Sequence, residues 1–325
     1  MPGAESKVPE FSNALRERLL SAVRRGPKIT DAHLQVVERD VTIDGTKTRI
    51  HCYGPQLDAH GRLKPDHLVD FLMDRVVDYA VPRQAIERAE EEYSKTKSAA
   101  AWIRLQRRAR DSFTDLEKTG EGGELLLFAL AEAVFELAQI LCKMSLKTST
   151  SMHYHGADGV YASSTEDGFL DLYWGESKLY QTATAAITDC LSSLAPFLRE
   201  EFSEDATNAR DMLLLNEYAD LTDPELVSTL KRFFDRDEPQ ANKLRMCGFA
   251  LVGFDSVHLP SVEASGVWEE IEAALKSDFV NWRSHTGKRL GMEKISHFDI
   301  HVVCVPLRSV DDFRAAFLKG LKGWQ

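Results

Sequence analysis

The spacing of apolar and polar residues predicts mainly helices in the first third of the chain. Apolar residues recur at helical spacing, and prolines interrupt the runs. A short alternating segment at 41–53, centred on Asp44-Gly45, predicts a β-hairpin. A glycine-rich break at 120–123 ends this part, so we predict an N-terminal helical and partner-interaction region over residues 1–118. The predicted helices cover residues 12–25, 66–80 and 84–116.

Helices and strands alternate after this break. We therefore predict a second unit over residues 119–325, whose order of elements is typical of an α/β core with a central mixed sheet flanked by helices. The predicted strands cover residues 156–163, 169–178, 244–255 and 295–305. The predicted helices cover residues 123–142, 179–199, 206–216, 223–235, 268–282 and 310–321.

The first two of these strands form a predicted hairpin whose register is set by its loop. Three-residue hairpin loops commonly end on a glycine in the left-handed conformation. If Gly168 takes that position, Thr165 pairs with Phe169. The same register places Asp158 directly opposite Glu176, with Cβ atoms about 5 Å apart. Two carboxylates so placed repel each other, and a divalent cation would remove the repulsion.

Lys178 completes a group of residues typical of metal-dependent phosphodiesterases. It follows Glu176 by two positions and therefore lies on the same face of the strand. Mg²⁺ prefers oxygen ligands, which Asp158, Glu176 and the Ser177 carbonyl could supply, and Mn²⁺ is the alternative ion. Lys178 could position or activate the attacking water, because the pKa of a lysine falls readily on partial burial.

A third carboxylate, Glu124, comes from the start of the long apolar helix. It shares a helix face with Phe128, whereas a polar wedge that contains Glu132 lies roughly a quarter-turn away. Glu124 is therefore predicted to face the core, where a carboxylate needs a metal or Lys178 as its partner. The alternatives are a simple charge at a helix N-terminus, and Glu121 in place of Glu124.

Four further residues are candidate DNA contacts around these carboxylates, namely Lys143, Lys147, His155 and Gln181. The two lysines lie between the apolar helix and the hairpin, and the alternative for them is a solvated loop. His155 and the nearby His153 could ligate a transition metal, although a role in orienting the loop or touching substrate is favoured. The alternative for Gln181 is an ordinary exposed helix residue.

Three polar residues alternate with apolar ones along the last predicted strand. His297, Asp299 and His301 could form a second polar cluster. The favoured interpretation is a solvent-facing edge, because strict alternation is typical of a strand with one wet face.

The acidic balance of the chain limits how it could bind nucleic acid. It has 325 residues, 43% hydrophobic content and a formal net charge of -11. Proteins that bind DNA through their own surface usually carry a basic footprint. DNA affinity must therefore come from local cations, a metal or a partner. The best local candidates are Arg104, Arg107, Arg108 and Arg110, although a solvated helix face is the favoured interpretation.

Composition also bears on location. The most apolar run, at 125–141, is interrupted by Glu132 and Glu136, which is typical of a buried helix and not of a membrane span. The N-terminus lacks the layout of a signal peptide, and the five cysteines are dispersed without a Cys-x-x-Cys pair. We therefore predict a cytoplasmic protein with reduced thiols and no membrane partner.

Four short segments carry a resemblance to a known family. The ordering of Glu124, Asp158 and Glu176-Ser-Lys178 resembles the PD-(D/E)xK nuclease superfamily, with its restriction-endonuclease-like core, although no proline precedes Asp158. The amino-acid sequence around these residues resembles the HamA family of Hachiman anti-phage systems more closely. The matching segments are Gly-Glu-Leu-Leu-Leu at 123–127, Lys-Thr-Ser at 147–149, His-Gly-x-Asp-Gly at 155–159 and Trp-Gly-Glu-Ser-Lys at 174–178.

The resemblance implies a DNase effector paired with HamB, a superfamily 2 helicase subunit that holds it and senses aberrant DNA. It implies catalytic roles for Glu124, Asp158, Glu176 and Lys178, with the three carboxylates as metal ligands. Our leading hypothesis is a Mg²⁺-dependent DNA endonuclease. The alternative is a catalytically silent interaction subunit that regulates a helicase.

Overall fold

The structure is a computed structural model. It describes residues 7–26, 29–113, 120–144, 156–199, 214–215 and 219–323, together with Met212 and Glu217. Lys147, His153, His155 and much of the helix predicted at 206–216 lie outside the described residues.

A seven-stranded mixed sheet organises the fold, in the order β1-β2-β7-β6-β5-β4-β3. The four central strands, β2, β7, β6 and β5, run parallel, and the outer strands pair antiparallel with their neighbours. This arrangement confirms the predicted α/β class. The strands are β1 (Leu34–Thr42), β2 (Arg49–Pro55), β3 (Ala138–Gln139), β4 (Gly159–Ser164), β5 (Leu170–Tyr180), β6 (Leu244–Asp255) and β7 (Asp299–Leu307).

Helices cover both faces of the sheet. The first core layer lies between one face and α1, α8, α9 and α10, and the second between the other face and α3, α4, α6, α7 and α11. The helices are α1 (Lys7–Ala22), α2 (Ile29–Ala32), α3 (Pro65–Asp74), α4 (Val76–Ala80), α5 (Arg83–Thr96), α6 (Ala100–Asp111), α7 (Glu121–Ala133), α8 (Ala183–Arg199), α9 (Pro224–Phe234), α10 (Trp268–Met292) and α11 (Val310–Lys322). Within the described residues, no helix is both long and apolar enough to cross a bilayer.

The sheet crosses the boundary predicted between residues 118 and 119. Strand β2 pairs in parallel with β7, from Arg49 opposite His301 to Cys52 opposite Cys304. An isolated two-stranded hairpin is marginal in water, and pairing with β7 allows β2 to bury both of its faces. The division into units of 1–118 and 119–325 stays a prediction about folding and interaction, whereas the sheet itself is continuous.

The apolar helix predicted at 123–142 is wrong in its second half. Helix α7 ends at Ala133, and Glu136 takes the left-handed conformation with a φ of 52°. The chain then turns into β3, where Ala138 and Gln139 pair with β4. Spacing cannot separate a buried helix from a buried strand in a continuous apolar run, and pairing with β4 decides the outcome.

Glu132 was predicted to belong to a polar wedge of this helix, but it lies in the protein interior. Its side chain is fully buried, and it lies 3.6 Å from the guanidinium groups of both Arg75 and Arg83. It also accepts a hydrogen bond from the backbone N–H of Arg24, whose side chain pairs with Asp220 at 3.0 Å. A buried charge network therefore joins α7 to the segments around α1, α4 and α5.

Candidate active site

The β4–β5 hairpin has the register that its loop predicts. Thr165 donates its N–H to the Phe169 carbonyl at 3.0 Å, and Gly168 has a φ of 77°. The paired positions run from Ser164 opposite Leu170 to Gly159 opposite Gly175. The register predicted from Gly168 is therefore confirmed for these positions, whereas the predicted pair of Asp158 and Glu176 lies beyond the last paired position.

Asp158 lies one residue before the first paired position of β4. Its backbone N–H donates to the Gly175 carbonyl at 2.8 Å, so the strands remain in contact there. Its Oδ2 accepts hydrogen bonds from the Ser177 N–H at 2.8 Å and from the Ser177 hydroxyl at 3.0 Å. Among the described residues, β4 pairs with β5 only as far as Gly175, whereas β6 pairs with the other side of β5 along its whole length. The Asp158 carboxylate contacts β5 just beyond the last pair with β4.

Glu176 and Lys178 form an ion pair next to Asp158. The Lys178 Nζ lies 2.6 Å from Glu176 Oε1, and Glu176 is 5% exposed. Burial by itself would lower the pKa of Lys178, but the attraction of Glu176 and the hydrogen bond to it raise the pKa above its ordinary value. The expected fall in the lysine pKa is thus wrong. In this ion pair the ammonium form of Lys178 is favoured.

Helix α7 brings Glu124 to the hairpin. A Cβ placed on Gly123 would lie 3.2 Å from Ser177 Oγ and 3.1 Å from Leu179 Cγ, so glycine permits the close approach of α7 to β5. Glu124, the next residue, is half-buried and accepts a hydrogen bond from the Tyr79 hydroxyl at 2.8 Å. Sequence spacing gives no signal for Tyr79.

The three carboxylates influence one another electrostatically. Burial raises the pKa of Asp158 to about 7, and the charges of Glu176 and Glu124 add to the rise. Burial also raises the pKa of Glu176, against the opposing effects of Lys178 and Lys143. Confined carboxylates that resist ionisation form an oxygen-rich donor set of the kind that Mg²⁺ and Mn²⁺ prefer. The residues present therefore fit a hard divalent cation.

Lys143 and Gln181 occupy different surroundings. Lys143 is only 5% exposed and lies close enough to Glu176 to lower its pKa, so it belongs to the interior of the centre and not to a solvated loop. Gln181 is exposed just after β5 and shares a shallow depression with Tyr180 and Arg314. Their roles as DNA contacts stay predictions.

The solvent-facing edge predicted for the last strand is wrong. Strand β7 lies inside the sheet, so His301 is buried, and Asp299 pairs with Arg49 at 2.8 Å. The Nδ1 of His301 faces the Nε2 of His51 at 3.0 Å, and the Nδ1 of His51 accepts the Asp40 N–H at 3.1 Å. Burial lowers the pKa of His51 to about 4.

Asp40, His51 and His301 are near enough to consider as metal ligands. However, the histidine nitrogens that face each other already form a hydrogen bond, and the second His51 nitrogen is bound to the backbone. The two histidines therefore form a buried, hydrogen-bonded pair beside the exposed Asp40, and the carboxylate group beside β5 offers the oxygen donors that a hard cation prefers.

Comparison with known proteins places the chain in a family. The family model described as HamA matches residues 28–321, which leaves out α1 but includes α2 to α10, the whole sheet and nearly all of α11. No curated protein matches the chain. Because the family match spans most of its length, the chain belongs to the HamA family, a component of Hachiman anti-phage defence systems.

Proposed function

We propose that this chain is a divalent-metal-dependent DNA endonuclease and the effector subunit of its defence complex. The observation that carries the proposal is that Asp158, Glu176 and Glu124 lie close enough to influence one another electrostatically, beside the Lys178 ammonium on β5. A buried group of like charges is unfavourable for folding, and a bound cation would offset the repulsion between the carboxylates.

Asp158 and Glu176 would hold Mg²⁺, or Mn²⁺, with Glu124 as the third carboxylate. When bound, the cation would polarise the scissile phosphate and lower the pKa of the attacking water. Asp158 keeps its orientation through its two hydrogen bonds to Ser177, so the donor oxygens are fixed before a metal arrives.

Lys178 would act as a cation near the reacting phosphate. The Glu176 carboxylate raises the pKa of Lys178 and so favours the ammonium form, which is a poor acceptor for the proton of the attacking water. It can instead orient that water and stabilise the negative charge that develops on the phosphate oxygens. Glu176 holds the ammonium in place at 2.6 Å.

DNA and a HamB-type helicase are the proposed partners. The net charge of -11 predicts weak binding of DNA by the isolated chain, so the partner would supply much of the affinity. Local affinity could come from α6, on which Arg107 and Arg108 are exposed, whereas Arg104 is engaged by Glu92 at 2.8 Å. The end of α6 lies near the centre, because the Phe113 ring is 6.2 Å from Tyr79.

A plasmid-nicking assay of the chain with its partner tests the nuclease proposal. We expect Glu176→Gln and Lys178→Ala each to reduce nicking by at least ~100-fold, the effect typical of losing one transition-state contact. The matched controls are Glu272→Gln and Lys276→Ala, because these residues form a comparable ion pair at 2.7 Å on α10, away from the centre. Equal nicking by all four variants and the wild type would refute the proposal.

The acidic composition also supports the second candidate, a silent subunit that regulates a helicase. Metal binding distinguishes the two functions. A nuclease centre binds Mg²⁺ or Mn²⁺ in calorimetry and loses that binding on Asp158→Asn. A silent subunit shows neither effect.

A further inference from the structure

We propose that Tyr79 is a positioning residue that fixes Glu124 as a ligand for the divalent cation. This inference rests on the proposed metal centre and adds to it a residue that the sequence patterns did not indicate.

The Tyr79 side chain is held rigidly beneath the centre. Tyr79 is 2% exposed, and its ring packs 5.5 Å from the ring of Phe128 and 6.2 Å from that of Phe113. Its hydroxyl donates to Glu124 Oε2 at 2.8 Å. The phenol therefore has little freedom to leave the carboxylate, and the carboxylate keeps the orientation that the hydrogen bond selects.

Such a hydrogen bond matters for a metal ligand in two ways. It limits the rotamers of Glu124, so less conformational entropy is lost when a cation binds. It also stabilises the ionised carboxylate, which is the form that binds metal. Partners of this kind behind metal ligands typically contribute about 10- to 100-fold to metal affinity.

A second buried tyrosine provides a contrast. Tyr161 is fully buried on β4, and its hydroxyl has no hydrogen-bond partner among the described residues. Its ring lies across the hairpin, because a Cβ on Gly159 would fall 2.4 Å from the hydroxyl and one on Gly175 would fall 2.9 Å from the ring. Tyr161 therefore fills space near the same carboxylates without binding one.

The pair of tyrosines allows a matched experiment. The variants Tyr79→Phe and Tyr161→Phe each remove one buried hydroxyl and keep the ring. We would measure the dissociation constant for Mn²⁺ by calorimetry on the full chain, and the thermal unfolding midpoint in chelator. We expect Tyr79→Phe to weaken Mn²⁺ binding by about 10- to 100-fold. Tyr161→Phe should leave the dissociation constant unchanged.

A double-variant cycle separates positioning from a merely structural role. If Tyr79 acts through Glu124, then Tyr79→Phe should have no further effect on Mn²⁺ affinity in a Glu124→Gln background. If Tyr79→Phe shifts the thermal unfolding midpoint measured in chelator but leaves the Mn²⁺ affinity unchanged, the inference is overturned and the metal centre is unaffected. Absence of Mn²⁺ binding by the wild type would overturn both. If Tyr79→Phe does not fold, the variant Glu124→Gln takes its place. An Mn²⁺ affinity of Glu124→Gln equal to that of the wild type would also overturn the inference.

Discussion

Individual ionisable side chains determine how the proposed centre responds to pH. Asp158 has a pKa of about 7 in the folded chain, where burial and the charges of Glu176 and Glu124 disfavour its ionised form. An unfolded aspartate ionises near pH 4. Between these values the folded state retains a proton that the unfolded state has released. Ionisation of Asp158 therefore costs stability as the pH rises from about 4 to about 7.

Replacement of Asp158 by asparagine should remove this cost. In chelator, we expect Asp158→Asn to gain stability over the wild type as the pH rises from about 4 to about 7, by at most ~1.4 kcal/mol per pH unit for one group, and the difference to level off above pH 7. Urea unfolding at several pH values measures the difference. Asp167→Asn, at an exposed position in the same hairpin loop, is the control. If Asp158→Asn instead loses stability relative to the wild type as the pH rises, this interpretation of Asp158 is contradicted.

At the scale of single elements, the spacing of residues along the chain predicted strand β6 and the β4–β5 hairpin, because nearby residues determine both. The strand at 244–255 has its predicted ends, and Gly168 alone defines the β4–β5 register. Spacing failed where distant partners decide. Helix α7 ends early because β3 pairs with β4. Glu132 is buried because arginines from other elements surround it.

The candidate site divides in the same way. Glu176 and Lys178 lie on one face of β5, and Asp158 comes just before β4, so the hairpin alone brings these three residues together. Tyr79 is 45 residues from Glu124 and belongs to an apolar helix face, so only the packing of α4 on α7 reveals it. Lys143 was expected near the site, but its burial could not be predicted from a loop sequence.

The buried charge network predicts a large effect of one substitution. Glu132→Gln would leave the buried guanidinium groups of Arg75 and Arg83 without their shared carboxylate, while Asp78 and Asp220 stay beside them, so we expect a loss of ~1–3 kcal/mol in unfolding free energy. Urea denaturation measures this loss. The control is Glu91→Gln, which breaks an exposed pair with Lys95 and should cost no more than ~0.5 kcal/mol. Similar losses for both variants would contradict a structural role for the network.

At the scale of the whole molecule, the proposed function requires an acidic chain to bind an acidic polymer. We expect the variant Arg107→Glu/Arg108→Glu to weaken DNA binding by the chain with its partner. The logarithmic dependence of affinity on salt should become shallower by about 2 if each arginine contacts a phosphate. Fluorescence anisotropy across a salt series measures both quantities.

The control for this test makes the same change in net charge elsewhere. Lys231 and Lys288 are exposed on α9 and α10, which pack on the other face of the sheet from α6. Lys231→Glu/Lys288→Glu should therefore leave the salt dependence near that of the wild type. If both double variants behave alike, net charge and not the α6 surface governs DNA binding.

The most direct test of the proposed centre is a crystal of the chain soaked in Mn²⁺, examined by anomalous scattering. We predict a manganese peak bounded by the carboxylates of Asp158, Glu176 and Glu124, with Lys178 beside it. A peak at Asp40, His51 and His301, or a crystal that takes up manganese at neither group, would contradict the central claim.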